Sequence, residues 1–232
     1  MRLAAFITLA LAVLAGPALA AGAPVVCIDP GHPSEVGRGA SGRDITEMAA
    51  AWDVARRLDA LLKADGARVV LTKSSEDEFV TNERRAQIAN DAHAALMVRL
   101  HCDGGAGIGS GFAVYYPGRA GHAHGAVGPS AAVLAGSHTA AAAFYAALKS
   151  GLAGKLPGRG LKTDAATRVG AMQGGALTGS IFAKEPVLLV EMCVLTDPHD
   201  DAFIASKSGQ DAMAHALARA TLAALAALNR PA

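Results

Sequence analysis

Four side chains have the types and surroundings needed for hydrolytic chemistry: His32, Glu47, His101 and Glu191. Neutral imidazole is a common zinc ligand. Catalytic zinc sites often combine two histidines with one carboxylate and leave a position for water. Glu191 sits inside the run Val187-Leu188-Leu189-Val190-Glu191-Met192-Cys193-Val194. A carboxylate in so apolar a setting is costly unless paired or bound, and burial moves its pKa toward the range of a general base. A structural ion pair with an arginine is the alternative reading of Glu191. Glu47 is ambiguous on local grounds. Asp44-Ile45-Thr46-Glu47 also reads as a capping box, with Glu47 reaching back to the Asp44 amide. Asp29 reads as a turn residue, or as a partner that orients a ligating histidine.

The elements that must carry these groups are legible. Val25, Val26 and Ile28 suit a strand buried on both faces. Asp29, Pro30 and Gly31 end it and deliver His32 at its carboxyl end, where ligands bind in open α/β sheets. Two further apolar runs finish alike, one at His101 and one at Glu191. Ile45, Met48, Trp52, Ala55, Leu58 and Leu62 recur at helical spacing in a helix that Asp44 should open, with Gly66 just past its end. A strand over 68–72, a helix over 81–91 and a strand over 111–116 follow. Residues 117–136 read as a surface loop, then a helix over 137–152 and a short strand over 161–163. The last helix, over 209–228, carries Met213, Leu217, Ala220, Ala224 and Leu228 on one face. Alternating strands and helices predict one α/β sandwich, its twisted, mostly parallel but mixed central sheet of about six strands covered by helices on both faces.

Residues 1–20 read as a secretory signal peptide, with Arg2, an apolar stretch and Ala18-Leu19-Ala20 as the cleavage site, leaving 21–232 as one catalytic domain. Export, to the periplasm or beyond, is expected. No membrane span is expected in the mature chain, because no second apolar stretch reads as long enough. The formal net charge of +1 gives no reason to expect a nucleic-acid partner. Cys27, Cys102 and Cys193 lack the spacing of a cysteine zinc site and read as buried thiols, although Cys102 and Cys193 could lie near each other.

Taken in order, several motifs resemble the zinc-dependent N-acetylmuramoyl-L-alanine amidases of the Amidase_3 type. They are Ile28-Asp29-Pro30-Gly31-His32, Glu47, Leu71-Thr72-Lys73, Arg84-Arg85-Ala86-Gln87-Ile88-Ala89-Asn90, Leu100-His101, Gly111-Phe112 and Pro186-Val187-Leu188-Leu189-Val190-Glu191. The resemblance implies that His32, Glu47 and His101 bind one zinc ion and that Glu191 is the catalytic acid/base. It also implies peptidoglycan as substrate, cut between N-acetylmuramic acid and L-alanine. The chain departs from the family at Pro33-Ser34, where Gly-Gly is frequent, and at Cys102-Asp103, where Ala-Asn is frequent. These departures bear on cleft shape, not on the ligands. Another exported zinc hydrolase acting on cell-wall peptides is the first rival, and an inactive wall-binding module the second. Some relatives plug their zinc with a glutamate on an inserted helix. Residues 104–163 here contain no Asp or Glu, so no such plug can come from them and no activator protein is expected to be required. Arg119, Lys149, Lys155, Arg159 and Lys162 in that segment suit a basic rim for an anionic polymer.

Overall fold

Every residue of Val25–Pro30 (β1) is buried, as a strand central to a sheet covered on both faces requires. The structure is a computed structural model that describes residues 22–230; the expected leader lies outside the described residues. After β1 come α1 (Glu47–Ala64), β2 (Arg68–Leu71), α2 (Asn82–Asp91), β3 (Leu96–Asp103) and β4 (Phe112–Tyr116). A small hairpin, β5 (Gly121–Ala123) and β6 (Ala126–Gly128), precedes α3 (Ala131–Gly151) and β7 (Gly158–Thr163). A 3-10 turn (Asp164–Ala166) and two short helices, α4 (Arg168–Met172) and α5 (Thr178–Ile181), lead to β8 (Val187–Val194). The chain ends with α6 (Pro198–Ala205) and α7 (Lys207–Leu228).

The strands form a six-stranded sheet in the order β2-β1-β3-β8-β4-β7. β2, β1, β3 and β8 are parallel, whereas β4 runs antiparallel to β8 and parallel to β7. This is the mixed α/β sandwich that the alternation of elements implies. Side chains alternate across a strand, and the two faces are covered unequally. Ile28, Val98, Leu100, Val190 and Met192 join the main core with residues of α1, α3 and α7. On the other face Cys27, Met97 and Val187 pack with Ala89 of α2, and Ala113, Tyr115 and Leu189 form a smaller patch. Toward the carboxyl ends of β1, β3 and β8, that second face turns polar.

Several boundaries differ from the expectations above. α1 starts at Glu47, because Thr46, not Asp44, caps it by accepting from the Ala49 amide at 3.3 Å. α3 starts at Ala131, inside the expected loop, with Ser130 as its cap. By length and composition α3 could cross a membrane, contrary to the expectation that no such stretch exists. Here Val133, Ala140, Ala141, Phe144 and Leu148 are buried, and four of these five belong to the main core. His101 and Glu191 lie within their strands rather than after them, since β3 and β8 run on to Asp103 and Val194.

Candidate active site

His32 follows β1 with φ of 53°, a left-handed conformation uncommon outside glycine. Its Nδ1 lies 3.0 Å from the Gly37 carbonyl. A proton there donates to that carbonyl and leaves Nε2 as an acceptor. Nε2 lies 3.4 Å from Oε1 of Glu47. Glu47, the first residue of α1, does not close a capping box; the Asp44 amide donates instead to Asp201 at 2.9 Å. The Glu47 backbone donates to the Ala40 carbonyl at 2.9 Å, and its Oε2 accepts from the Ala40 amide at 2.7 Å. This reciprocal pair turns the carboxylate inward, with only 3% of the residue exposed. Its Oε1 lies 2.9 Å from Nδ1 of His101 and 3.1 Å from the Cys102 amide.

Two glycines make room for this convergence. A Cβ on Gly31 would stand 2.7 Å from Nδ1 of His101, and one on Gly39 would stand 2.4 Å from Oε2 of Glu47. The ligand-type atoms of His32, Glu47 and His101 all lie within 4.8 Å of one another. No lysine or arginine pairs with Glu47 among the described residues; its charged neighbours are the two imidazoles. Burial disfavours its carboxylate, but the contacts with His101 and then His32 outweigh burial and hold its pKa well below the usual range. Burial likewise opposes the charge on His32, yet Glu47 raises its pKa, whereas at His101 burial prevails and the pKa falls. An anionic carboxylate facing two imidazoles, without a fixed cation, is a donor set that fits a zinc-like ion.

Glu191 is the cross-strand neighbour of His101 in the parallel β3–β8 pair. Its Oε2 is buried and has no hydrogen-bond partner. Burial first, then repulsion from Asp103 and Glu47, pushes its pKa well above the ordinary carboxyl range. No arginine pairs with it among the described residues, so the structural ion-pair alternative does not hold. Its Asp103 neighbour takes the available cation, Arg159, at 2.5 Å. Glu191, His32 and His101 line one cavity of about 220 Å³. Thus all four sequence-selected residues meet at one place.

Other lining residues went unread in the sequence. Val36, Val169, Leu177 and Leu189 give the cavity apolar walls, and Arg99 and Arg168 are its basic members. None of the five basic residues expected as a rim lines it. Asp29 orients no histidine directly. It is fully buried and pairs with Arg85 at 2.6 Å and Arg99 at 2.8 Å. Burial opposes its charge, but the two guanidinium groups, Arg85 ahead of Arg99, outweigh that and hold its pKa well below the usual range. Cys102 and Cys193 do meet, as free thiols with Sγ atoms 3.6 Å apart.

An α/β domain that gathers imidazoles and carboxylates toward the carboxyl ends of its parallel strands has the layout of a hydrolytic enzyme. The profile of Amidase_3, described as N-acetylmuramoyl-L-alanine amidase, matches residues 26–223, and the chain belongs to that family. It is 29% identical over 224 residues to the N-acetylmuramoyl-L-alanine amidase Rv3717 of Mycobacterium tuberculosis, covering 87% of this chain and 86% of that protein. Among solved structures, AmiC2 of Nostoc punctiforme superimposes with a TM-score of 0.68 at 24% identity, over 86% of this chain and 95% of its own. Ami1 of Mycobacterium smegmatis gives 0.68 at 24% identity, over 88% and 98%. These structural likenesses establish the fold.

Proposed function

We propose that His32, Glu47 and His101 hold one zinc ion, and that the protein hydrolyses the amide between N-acetylmuramic acid and L-alanine in peptidoglycan. The observation that carries this reading is the meeting of two imidazoles and a buried carboxylate beside the unpartnered oxygen of Glu191. Zinc, when bound, supplies Lewis acidity toward an amide carbonyl and an attacking water. Glu191 is the proton carrier. Its Oε2 takes the proton released by the attacking water and passes it to the leaving amine nitrogen. A raised pKa suits both halves of that task. The apolar walls beside Glu191 limit competition from bulk water. Among the described residues no acidic side chain other than Glu191 lines the cavity, which supports a site without a carboxylate plug and a protein active without an activator.

Residues 1–20 act as a secretory leader in this reading, and the catalytic domain works outside the cytoplasm on the cell wall. The test is to purify the chain from residue 21, measure its metal, and digest peptidoglycan with no other protein added. About one zinc per chain is expected, with release of intact stem peptides bearing N-terminal alanine. Shorter peptides would identify a peptidase instead. Zinc-loaded protein that releases nothing would point to a wall-binding module or to a missing activator.

A further inference from the structure

Lys73 is an anomaly. Only 4% of it is exposed, yet no carboxylate pairs with it among the described residues. Buried lysines are rare unless paired, because the ammonium loses its hydration. Its Nζ donates instead to two backbone carbonyls, those of His32 and of Glu76, the latter at 2.8 Å. The Trp52 ring lies 5.8 Å away. An ammonium so buried, with only carbonyls and a ring face around it, costs the fold its lost hydration.

Arg85 completes the arrangement. It is 1% exposed and donates to the carbonyls of Pro30 at 2.6 Å and Pro33 at 3.0 Å, while Nε reaches Val80 at 2.9 Å. Asp29 at 2.6 Å balances its charge. Three of the four carbonyls from Pro30 to Pro33 therefore point at two buried cations. One of the three belongs to His32 itself, which is held in its left-handed conformation. Charge-assisted hydrogen bonds are stronger than neutral ones, and a strained residue persists only where its surroundings over-determine it.

We infer that Lys73 and Arg85 are positioning residues that clamp the His32 loop and aim its imidazole at Glu47, with Lys73 retained for metal affinity rather than for stability. The inference rests on the zinc reading of the site. Neither residue lines the cavity that holds Glu191, so both act through His32.

Lys73→Met keeps most of the side-chain volume and removes the charge and donors. Zinc affinity, measured by competition with a chromophoric chelator, is expected to fall by about ten-fold or more, as for other groups that orient metal ligands. The melting temperature of the metal-free protein should change little, because losing the bonds to the His32 and Glu76 carbonyls is offset by relief of a buried charge that has no carboxylate partner. The Co(II)-substituted variant should show altered d–d absorption, and Lys73→Arg should recover most of the affinity. Unchanged zinc affinity would overturn the inference. So would a metal-free protein whose lost stability alone accounts for the weaker binding. Should Lys73→Met not fold, Lys73→Gln, too short to reach both carbonyls, carries the same test. A wild-type protein that binds no zinc would instead overturn the metal reading itself, so the two failures are distinguishable.

Discussion

The two faces of β3 and β8 come from alternate residues of the same strands, yet obey opposite rules. Val98, Leu100, Val190 and Met192 face α1, α3 and α7 with no exposure at all. Arg99, His101 and Glu191 face the other way and line the cavity. Burying the first set removes apolar surface from water and stabilises the fold at roughly 25 cal/mol per Å². Burying the second set desolvates charge, which is tolerated only where each group is paired, bound or kept neutral. One face supplies stability along its whole length; the other is apolar at one end and, toward the carboxyl ends of its strands, carries the groups of the candidate site. A one-residue shift of register would exchange them.

That contrast can be broken from either side. The largest effect is expected on the polar face. Glu191→Gln is nearly isosteric but cannot accept a proton, so turnover should fall by at least ~10²-fold while zinc stays bound. Removing a buried, unpartnered carboxyl should leave the melting temperature equal or higher. Loss of metal in this variant would make Glu191 a ligand and void its assigned role. On the apolar face, Leu100→Ala should do the reverse. It should cost about 2–5 kcal/mol in denaturant unfolding, as truncation of buried leucines does, with turnover per folded molecule nearly unchanged.

A third prediction carries the contrast to the opposite end of the sheet. Glu185 is buried, its Oε1 has no partner, and burial, opposed by nearby amides, raises its pKa to about 7. A carboxyl whose pKa is raised on folding binds its proton more tightly in the native state. Its contribution is therefore full below about 4.5, the ordinary glutamate value, and is lost as pH rises through about 7. The loss amounts to up to about 3 kcal/mol. Glu185→Gln should flatten the stability profile across that window and gain stability near pH 8; an unchanged profile would place the titration elsewhere. The smallest effect concerns the apolar face near the site. Cys102 and Cys193 touch as thiols within the main core, so a reductant that leaves zinc bound should not change activity. Inactivation would reveal a bridge between them.

The same contrast explains what could be read in advance. β1, β3 and β8 are continuous apolar runs, and a charged side chain inside one of them violates the rule that makes the run. His101 and Glu191 are legible as metal-type or acid/base side chains that read in the sequence as closing such runs, although the strands continue to Asp103 and Val194. Glu47 is not legible in this way, because a carboxylate beside a helix start satisfies a local capping rule equally well. What separates the two readings is the contact with His101, a residue far along the chain. The hairpin β5–β6 and the helices α4 and α5 escaped notice because elements of three to five residues are too short to show a period. They carry or support Val169 and Thr178, part of the cavity wall, which therefore went unread too. The Asp29–Arg85–Arg99 cluster joins three separate elements, and no local spacing announces it.

Glu47 is the residue on which the local and the convergent readings disagree most sharply, so it offers the most direct test of the account. Zinc per chain should be measured by elemental analysis on the wild type and on Glu47→Ala, purified alike, with helix content followed by circular dichroism. The account predicts about one zinc in the wild type and almost none in the variant, with helix content preserved because Thr46 still caps α1. Full zinc in Glu47→Ala, accompanied by a frayed helix, would show that Glu47 serves its own helix and that the metal is held by other groups.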